Sequence, residues 1–156
     1  LMGLNIVLVE PEIPQNTGNI VRTCSLTNTT LHLVKPLGFS VEDKYLKRAG
    51  LDYWHSVEIY YYNSFNELRE RYFHKKFYFA TTKGRRSYTQ VNYTDDCFIV
   101  FGKETKGLSG EILSNNWGST IRIPMREGVK RSLNLANSVN IILFEALRQL
   151  NFPHLE

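Results

Sequence analysis

A chain of 156 residues suits a single domain and is long enough to bury a sizeable core. Its 42% hydrophobic and 22% charged residues are ordinary for a globular protein, and no apolar run reaches the roughly 18 residues needed to span a bilayer. The net charge of +4 and a pI of about 9.1 permit attraction to a polyanion such as RNA but do not require it, since many basic proteins bind no nucleic acid.

In chain order, Leu1 to Glu10 lacks the basic-then-apolar layout of a secretory signal, and Asn5–Val9 reads as a strand. A helix is predicted over Thr17–Thr27, a strand over Leu31–Val34, a helix over Glu42–Ala49, and a strand over Val57–Tyr61. A helix over Phe65–Phe73 precedes strands at Phe77–Ala80 and Cys97–Phe101. A short helix near Ser109–Ser114, a strand at Thr120–Ile123 and a long helix over Leu133–Leu150 complete the series. Largely apolar strands separated by helices predict an α/β fold whose mostly parallel sheet is covered on both faces. In such sheets ligands gather beyond the carboxyl ends of the strands, so the loops there are where function is sought.

Several familiar chemistries find no support. Cys24 and Cys97 sit in apolar stretches and read as reduced core thiols of a cytosolic protein. His32, His55, His74 and His154 are scattered without zinc spacing, and no metal is expected. The matches to a glycosylation acceptor at Asn28 and Asn92 have no secretory context. After the first strand comes Glu10-Pro11-Glu12-Ile13-Pro14 in place of the glycines that approach a dinucleotide, and no serine-hydrolase elbow occurs. Gly102 to Gly107 has phosphate-loop glycine spacing, but Leu108-Ser109 replaces the Lys-Ser/Thr that would hold phosphate and magnesium.

Three segments remain. Asn16-Thr17-Gly18-Asn19-Ile20-Val21-Arg22 reads as a strand-to-helix turn followed by an arginine. Phe101-Gly102-Lys103-Glu104-Thr105-Lys106-Gly107 follows a strongly apolar strand, and Ile121-Arg122-Ile123-Pro124-Met125 leads through a basic stretch to Ser132-Leu133-Asn134-Leu135-Ala136-Asn137. Taken singly, each has a plain structural reading: Arg22 as a solvated helix residue, Glu104 and Lys106 as a charged loop, Ser132 as a helix cap. Asn134 and Asn137 are harder to dismiss, because asparagine is a poor helix former and a polar group on an apolar helix needs a partner.

In this order, at strand ends, the segments resemble the three sequence motifs of the SPOUT RNA methyltransferases, in particular the TrmH-type branch and its minimal TrmL-type subfamily. Further matching stretches are Glu10 to Pro14, Arg48 to Tyr53 and Thr81 to Gly84, so the likeness runs from about Leu4 to Pro153. It implies a single domain over residues 1–156 without an added RNA-binding domain, and a C-terminal deep trefoil knot. It also implies a cytoplasmic homodimer that moves a methyl group from S-adenosylmethionine to the 2′-hydroxyl of a tRNA wobble nucleotide, a cytidine or carboxymethylaminomethyl-uridine in the anticodon stem-loop. DNA and membranes are not expected partners. By the same likeness Asn16, Arg22, Glu104, Ser132 and Asn134 are active-site residues. Ala80, Thr81, Gly102, Ile123, Ser132 and Leu133 cradle the cofactor, largely through backbone, with the missing Cβ of Gly102 allowing close approach. Arginine is too basic to lose a proton, so Arg22 is expected to polarise the hydroxyl and position a phosphate, and Glu104 to orient the site.

Arg48, Lys83, Arg86, Lys106 and Arg131 are the expected RNA contacts, within the groups Lys44, Lys47 and Arg48; Lys83, Arg85 and Arg86; Lys103 and Lys106; and Arg126, Lys130 and Arg131. Tyr53 and Trp54 read either as stacking platforms for unpaired bases or as packing residues. One departure from the subfamily is Phe144, where a tyrosine often precedes the glutamate, here Glu145. Two other readings stay open: the same reaction on another RNA such as ribosomal RNA, and an RNA-binding module without catalysis. A nicotinamide enzyme is more distant.

Overall fold

A computed structural model describes residues 3–44, 46, 48 and 53–156. Seven strands form one sheet: β1 (Asn5–Val9), β2 (Thr30–Val34), β3 (Ile59–Tyr62), β4 (Phe77–Ala80), β5 (Arg86–Ser87), β6 (Phe98–Phe101) and β7 (Thr120–Arg122). Their order is β3-β2-β1-β6-β4-β7-β5, and every pairing is parallel. The helices are α1 (Pro14–Thr27), α2 (Phe65–Arg71), α3 (Gly110–Asn115) and α4 (Leu135–Gln149), with 3₁₀ turns at Trp54–Ser56 and Trp117–Ser119. Lys44, Leu46 and Arg48 are helical, within the expected Glu42–Ala49 element; the rest of that element's end and the Ala49–Asp52 part of the family-like stretch lie outside the described residues.

The strands alternate between two cores, as the pleat requires. Ile6, Leu8, Ile99, Phe101 and Tyr78 face one side, with Ile20, Val21 and Cys24 of α1 and Val139, Ile142, Leu143 and Ala146 of α4. Val7, Val9, Phe98, Val100, Phe77 and Phe79 face the other, with Leu68 of α2. Both faces of the central strands are thus covered, which explains why β6, and β1 from Ile6 onward, are apolar rather than alternating.

Strand β7 is inserted between β4 and β5, pairing Ile121 with both Ala80 and Arg86. The loop between those two strands therefore crosses the backbone of β7 and is fastened to it. Thr81 N–H donates to the Ile121 carbonyl (2.9 Å), Arg85 N–H to Thr120 Oγ1 (2.9 Å), and Arg122 Nη1 to the Gly84 carbonyl (2.8 Å). A Cβ on Gly84 would lie 2.3 Å from the Ile121 carbonyl carbon, so only glycine fits this crossing. The two-residue β5 has no apolar pattern of its own and went unpredicted, because its pairing with β7 alone makes it a strand.

A buried polar pair, His32 and Asn5, stands against the second core. The His32 ring on β2 is wholly buried, with Nδ1 2.8 Å from Tyr62 Oη and Nε2 2.9 Å from Asn5 Oδ1, among the rings of Tyr60, Tyr72 and Phe98. Burial, helped by the charge of Arg71, pushes its pKa down to about 3, so it is neutral in the fold. The unfolded chain takes up that proton near the ordinary histidine value, so stability is complete at neutral pH and is lost as pH falls from about 6.5 toward 3. Denaturant unfolding at pH 7 and pH 5 should show a fall of about 2 kcal/mol in the native protein. A His32→Phe variant, less stable at both pH values, should lack that difference.

Candidate active site

Helix α1 begins badly on its own. Pro14 opens it, its N-cap Ile13 offers no side-chain acceptor, and no acidic residue lies in its first turn. Free N–H groups and the positive end of the helix dipole are left looking for a partner. Glu104 supplies it from the loop after β6: Oε1 accepts from Glu12 N–H (2.8 Å), and Oε2 from Ile13 N–H (2.9 Å) and Asn16 Nδ2 (3.1 Å). Asn16 Oδ1 in turn accepts from Asn134 Nδ2 (3.0 Å), and Asn134 Oδ1 accepts from Asn137 N–H (3.2 Å) as the N-cap of α4. One hydrogen-bonded line thereby joins the three motif segments.

Two sequence expectations need correction here. Helix α1 starts at Pro14 and not at the expected Thr17, so Asn16 lies within the helix and not in a turn before it. Asn134 is not inside the last helix but caps it, which removes the propensity conflict.

A cleft of about 530 Å³ opens between α1 and α4, lined by Asn16, Asn19, Arg22, Thr23, Asn134, Ala136, Asn137 and Asn140. Arg22 is exposed, its guanidinium 5.1 Å from the centre of the half-buried Tyr53 ring. Thr23 Oγ1 donates to Asn140 Oδ1 (2.8 Å) across the cleft floor. Sequence reasoning missed Thr23 and Asn140; the available signal was polar residues at helical spacing beside Asn16, Asn19 and Asn137. Ser132 is exposed and makes none of the hydrogen bonds in this set. Thr17, behind Asn16, has a buried hydroxyl without a hydrogen-bond partner among the described residues.

The expected cofactor positions lie at the carboxyl ends of β4, β6 and β7, with β4 between the other two in the sheet. Ala80, Thr81, Gly102 and Ile123 are half-buried there, and Ser132 and Leu133 follow on the exposed run to α4. That run presents Met125, Val129 and Leu133 to solvent, apolar side chains suited to covering a flat heteroaromatic ring. The loop itself also requires glycine at 102. A Cβ would meet the Gly107 carbonyl carbon at 2.1 Å and Leu108 N at 2.2 Å, because the 103–107 loop closes on itself through Gly107 N–H to the Lys103 carbonyl (2.8 Å).

Of the basic groups, Arg48, Lys83, Arg86, Lys106 and Arg131 are exposed, as are Arg85, Arg126 and Lys130. Lys103 instead pairs with Glu10 (3.4 Å), and Lys47 lies outside the described residues. Tyr53 and Trp54 are half-buried against the first core, which favours the packing reading. Phe144 is 46% exposed on α4, while Glu145 beside it is held by Arg148 and Gln149. Among the described residues no group of three His, Cys, Asp or Glu could hold a metal ion, and no helix is long and apolar enough to cross a membrane.

A family model described as the SpoU rRNA methylase family matches residues 3–144. This chain belongs to that family. A Bacillus subtilis member, bearing the name tRNA (cytidine(34)-2′-O)-methyltransferase as a provisional assignment, is 53% identical over 100% of this chain and 99% of its own. A solved structure described as concerning 2′-OH methylation of C/U34 on tRNA is 39% identical, with a TM-score of 0.91 over 96% of this chain and 97% of that one. An rRNA methyltransferase from Sinorhizobium meliloti, solved with S-adenosylmethionine bound, is 26% identical, with a TM-score of 0.80 over 95% of this chain and 57% of that one.

Removing the Glu104 carboxylate would leave two backbone N–H groups and one amide without their acceptor. Glu104→Ala should cost about 1–2 kcal/mol in thermal or denaturant unfolding. Thr17→Val keeps the shape and deletes only the unpaired hydroxyl, so it should match or exceed the native melting temperature.

Proposed function

We propose that this SpoU-family chain is an RNA methyltransferase that transfers a methyl group from S-adenosylmethionine to the 2′-hydroxyl of the wobble nucleotide of tRNA. The observation that carries the proposal is the joining of Asn16, Glu104 and Asn134 at the mouth of the Arg22 cleft, in a chain that matches the B. subtilis tRNA relative from end to end. Likeness to the C/U34 structure supports the substrate, and likeness to the S. meliloti protein supports the methyl donor.

Bound at the ends of β4, β6 and β7, S-adenosylmethionine would supply an electrophilic methyl group on sulfonium. The chain's own residues do the rest. Arg22 carries a permanent charge, and the Tyr53 ring beside it limits its motion. It would hold a phosphate and polarise the attacking hydroxyl, while Asn19 and Asn137 offer amide contacts along the cleft. Glu104 would orient the site and not take the proton, because both its oxygens already accept N–H groups. In the displacement the ribose oxygen bonds to the methyl carbon, the carbon–sulfur bond breaks, and the hydroxyl proton passes to a group outside these residues.

The exposed cations at 83–86 and 126–131 flank the proposed cofactor site and would contact the anticodon stem-loop. We take the insertion of β7 between β4 and β5 as the local basis of the trefoil knot. A second copy is the proposed cover for Leu26, 62% exposed on α1, and Phe144 on α4, in a cytoplasmic homodimer.

The test is methyl transfer from labelled S-adenosylmethionine to total tRNA, followed by nuclease mapping. Label is expected in a 2′-O-methyl nucleotide at the wobble position, with Arg22→Ala reduced about 100-fold. Label in ribosomal RNA alone would overturn the substrate, and tight RNA binding without transfer to either would overturn the reaction.

A further inference from the structure

The β1–α1 loop and the β6 loop are joined by two carboxylates, not one. While Glu104 accepts the Glu12 N–H, the Glu12 side chain reaches back: its Oε1 accepts from Thr105 N–H (3.0 Å) and Thr105 Oγ1 (2.8 Å). Each of two neighbouring residues in one loop is thus held by the other loop, a reciprocal clasp. The hydrogen bond from Thr105 N–H, followed by that from its hydroxyl, holds the Glu12 carboxyl below the usual carboxylate range, with Lys103 and Lys106 adding to the effect.

The clasp has a firm back. Gly38 N–H donates to the Pro11 carbonyl (2.9 Å), and a Cβ at Gly38 would stand 2.7 Å from Glu12 Cα. The backbone of residues 11 and 12 is therefore pressed between the segment after β2 and the β6 loop. Beside it, Lys103 pairs with Glu10.

We propose that Glu12 is a positioning residue for methyl transfer: by holding Thr105 it fixes the loop that carries Glu104, and through Glu104 it sets Asn16 and Asn134 at the cleft. The inference rests on the reading of function given above. Glu12 lies outside both hydrophobic cores and does not line the cleft, so it acts through Glu104 and not on substrate. The demand on the clasp is geometric. The β6 loop borders the proposed cofactor site, α1 carries Arg22, and in-line displacement tolerates little error between them.

The experiment is steady-state methyl transfer to tRNA by the full chain, comparing native protein with Glu12→Ala, Glu12→Gln, Thr105→Val and Thr105→Ser. Glu12→Ala should lower kcat about tenfold, and Thr105→Val by less because its N–H still reaches Glu12, while KM for RNA stays within about twofold in both. Glutamine keeps an acceptor for both Thr105 donors and serine keeps the hydroxyl, so these variants should recover most of the rate. The double variant should be no slower than Glu12→Ala alone, because Thr105→Val removes only part of the contact that Glu12→Ala already abolishes. Hydrogen exchange over residues 12–22 should rise in Glu12→Ala and return in Glu12→Gln. Native-like kcat in both single variants, additive losses, or losses that only follow the unfolded fraction would each overturn the role of Glu12 and leave the functional reading intact. A native protein that methylates no RNA would overturn that reading and this inference with it.

Discussion

The site's geometry depends on a carboxylate at the start of a helix that cannot cap itself. Glu104 lies about 90 residues along the chain from the N–H groups it accepts, so the contact ties together two crossovers of the sheet as well as a helix end. The donors lie at the N-cap Ile13, just before it at Glu12 and in the first turn at Asn16, and the negative charge sits where the helix dipole favours it. Asn16 extends the tie to the cap of α4. A helix that opened with its own serine or aspartate would have no such need of the β6 loop, and the three segments would then be only neighbours.

That tie is useful only because the sheet brings the right ends together. Strands β6, β4 and β7 are adjacent, so loops far apart in sequence emerge side by side. The crossing at Gly84 fixes the loop after β4 directly against the backbone of β7, and the closure at Gly102 makes the 103–107 loop compact enough to present Glu104 inward. Both glycines are demanded by contacts between backbones. The two parts of the proposed cofactor edge nearest Gly84 and Gly102 are thus held by the chain itself, which would lower the ordering cost of binding there.

How much of this could be read from the sequence varies with the range of the interaction. β1 and β4 were legible to the residue, since unbroken runs of apolar, β-branched and aromatic side chains mark strands buried on both faces. β3 begins at Ile59 and not at Val57, as a 3₁₀ turn at Trp54–Ser56 occupies the approach. β5 was invisible because its only cause is a partner strand over thirty residues later. Within the site, the convergence of Asn16, Arg22, Glu104 and Asn134 was legible through resemblance to a family. The reasons were not: Asn134 was a cap mistaken for a buried helical residue, and the Thr23–Asn140 contact joins two helices that sequence periodicity treats separately.

The lining of the cleft also constrains the chemistry. It offers amides, a hydroxyl and a guanidinium, and its carboxylate neighbour Glu104 already accepts from three donors. Such a surface donates hydrogen bonds far more readily than it removes protons, so in the proposed reaction it stabilises the developing alkoxide, and the proton leaves by way of substrate phosphate or water. Donation also bears on which polymer is bound. In the proposed reaction a 2′-hydroxyl would both accept and donate, and the side-chain amides of Asn19 and Asn137 in the cleft would meet both demands, which a deoxyribose does not make. In that proposed reaction the choice of RNA over DNA and the activation of the hydroxyl would share one cause: the polar groups that α1 and α4 turn toward each other.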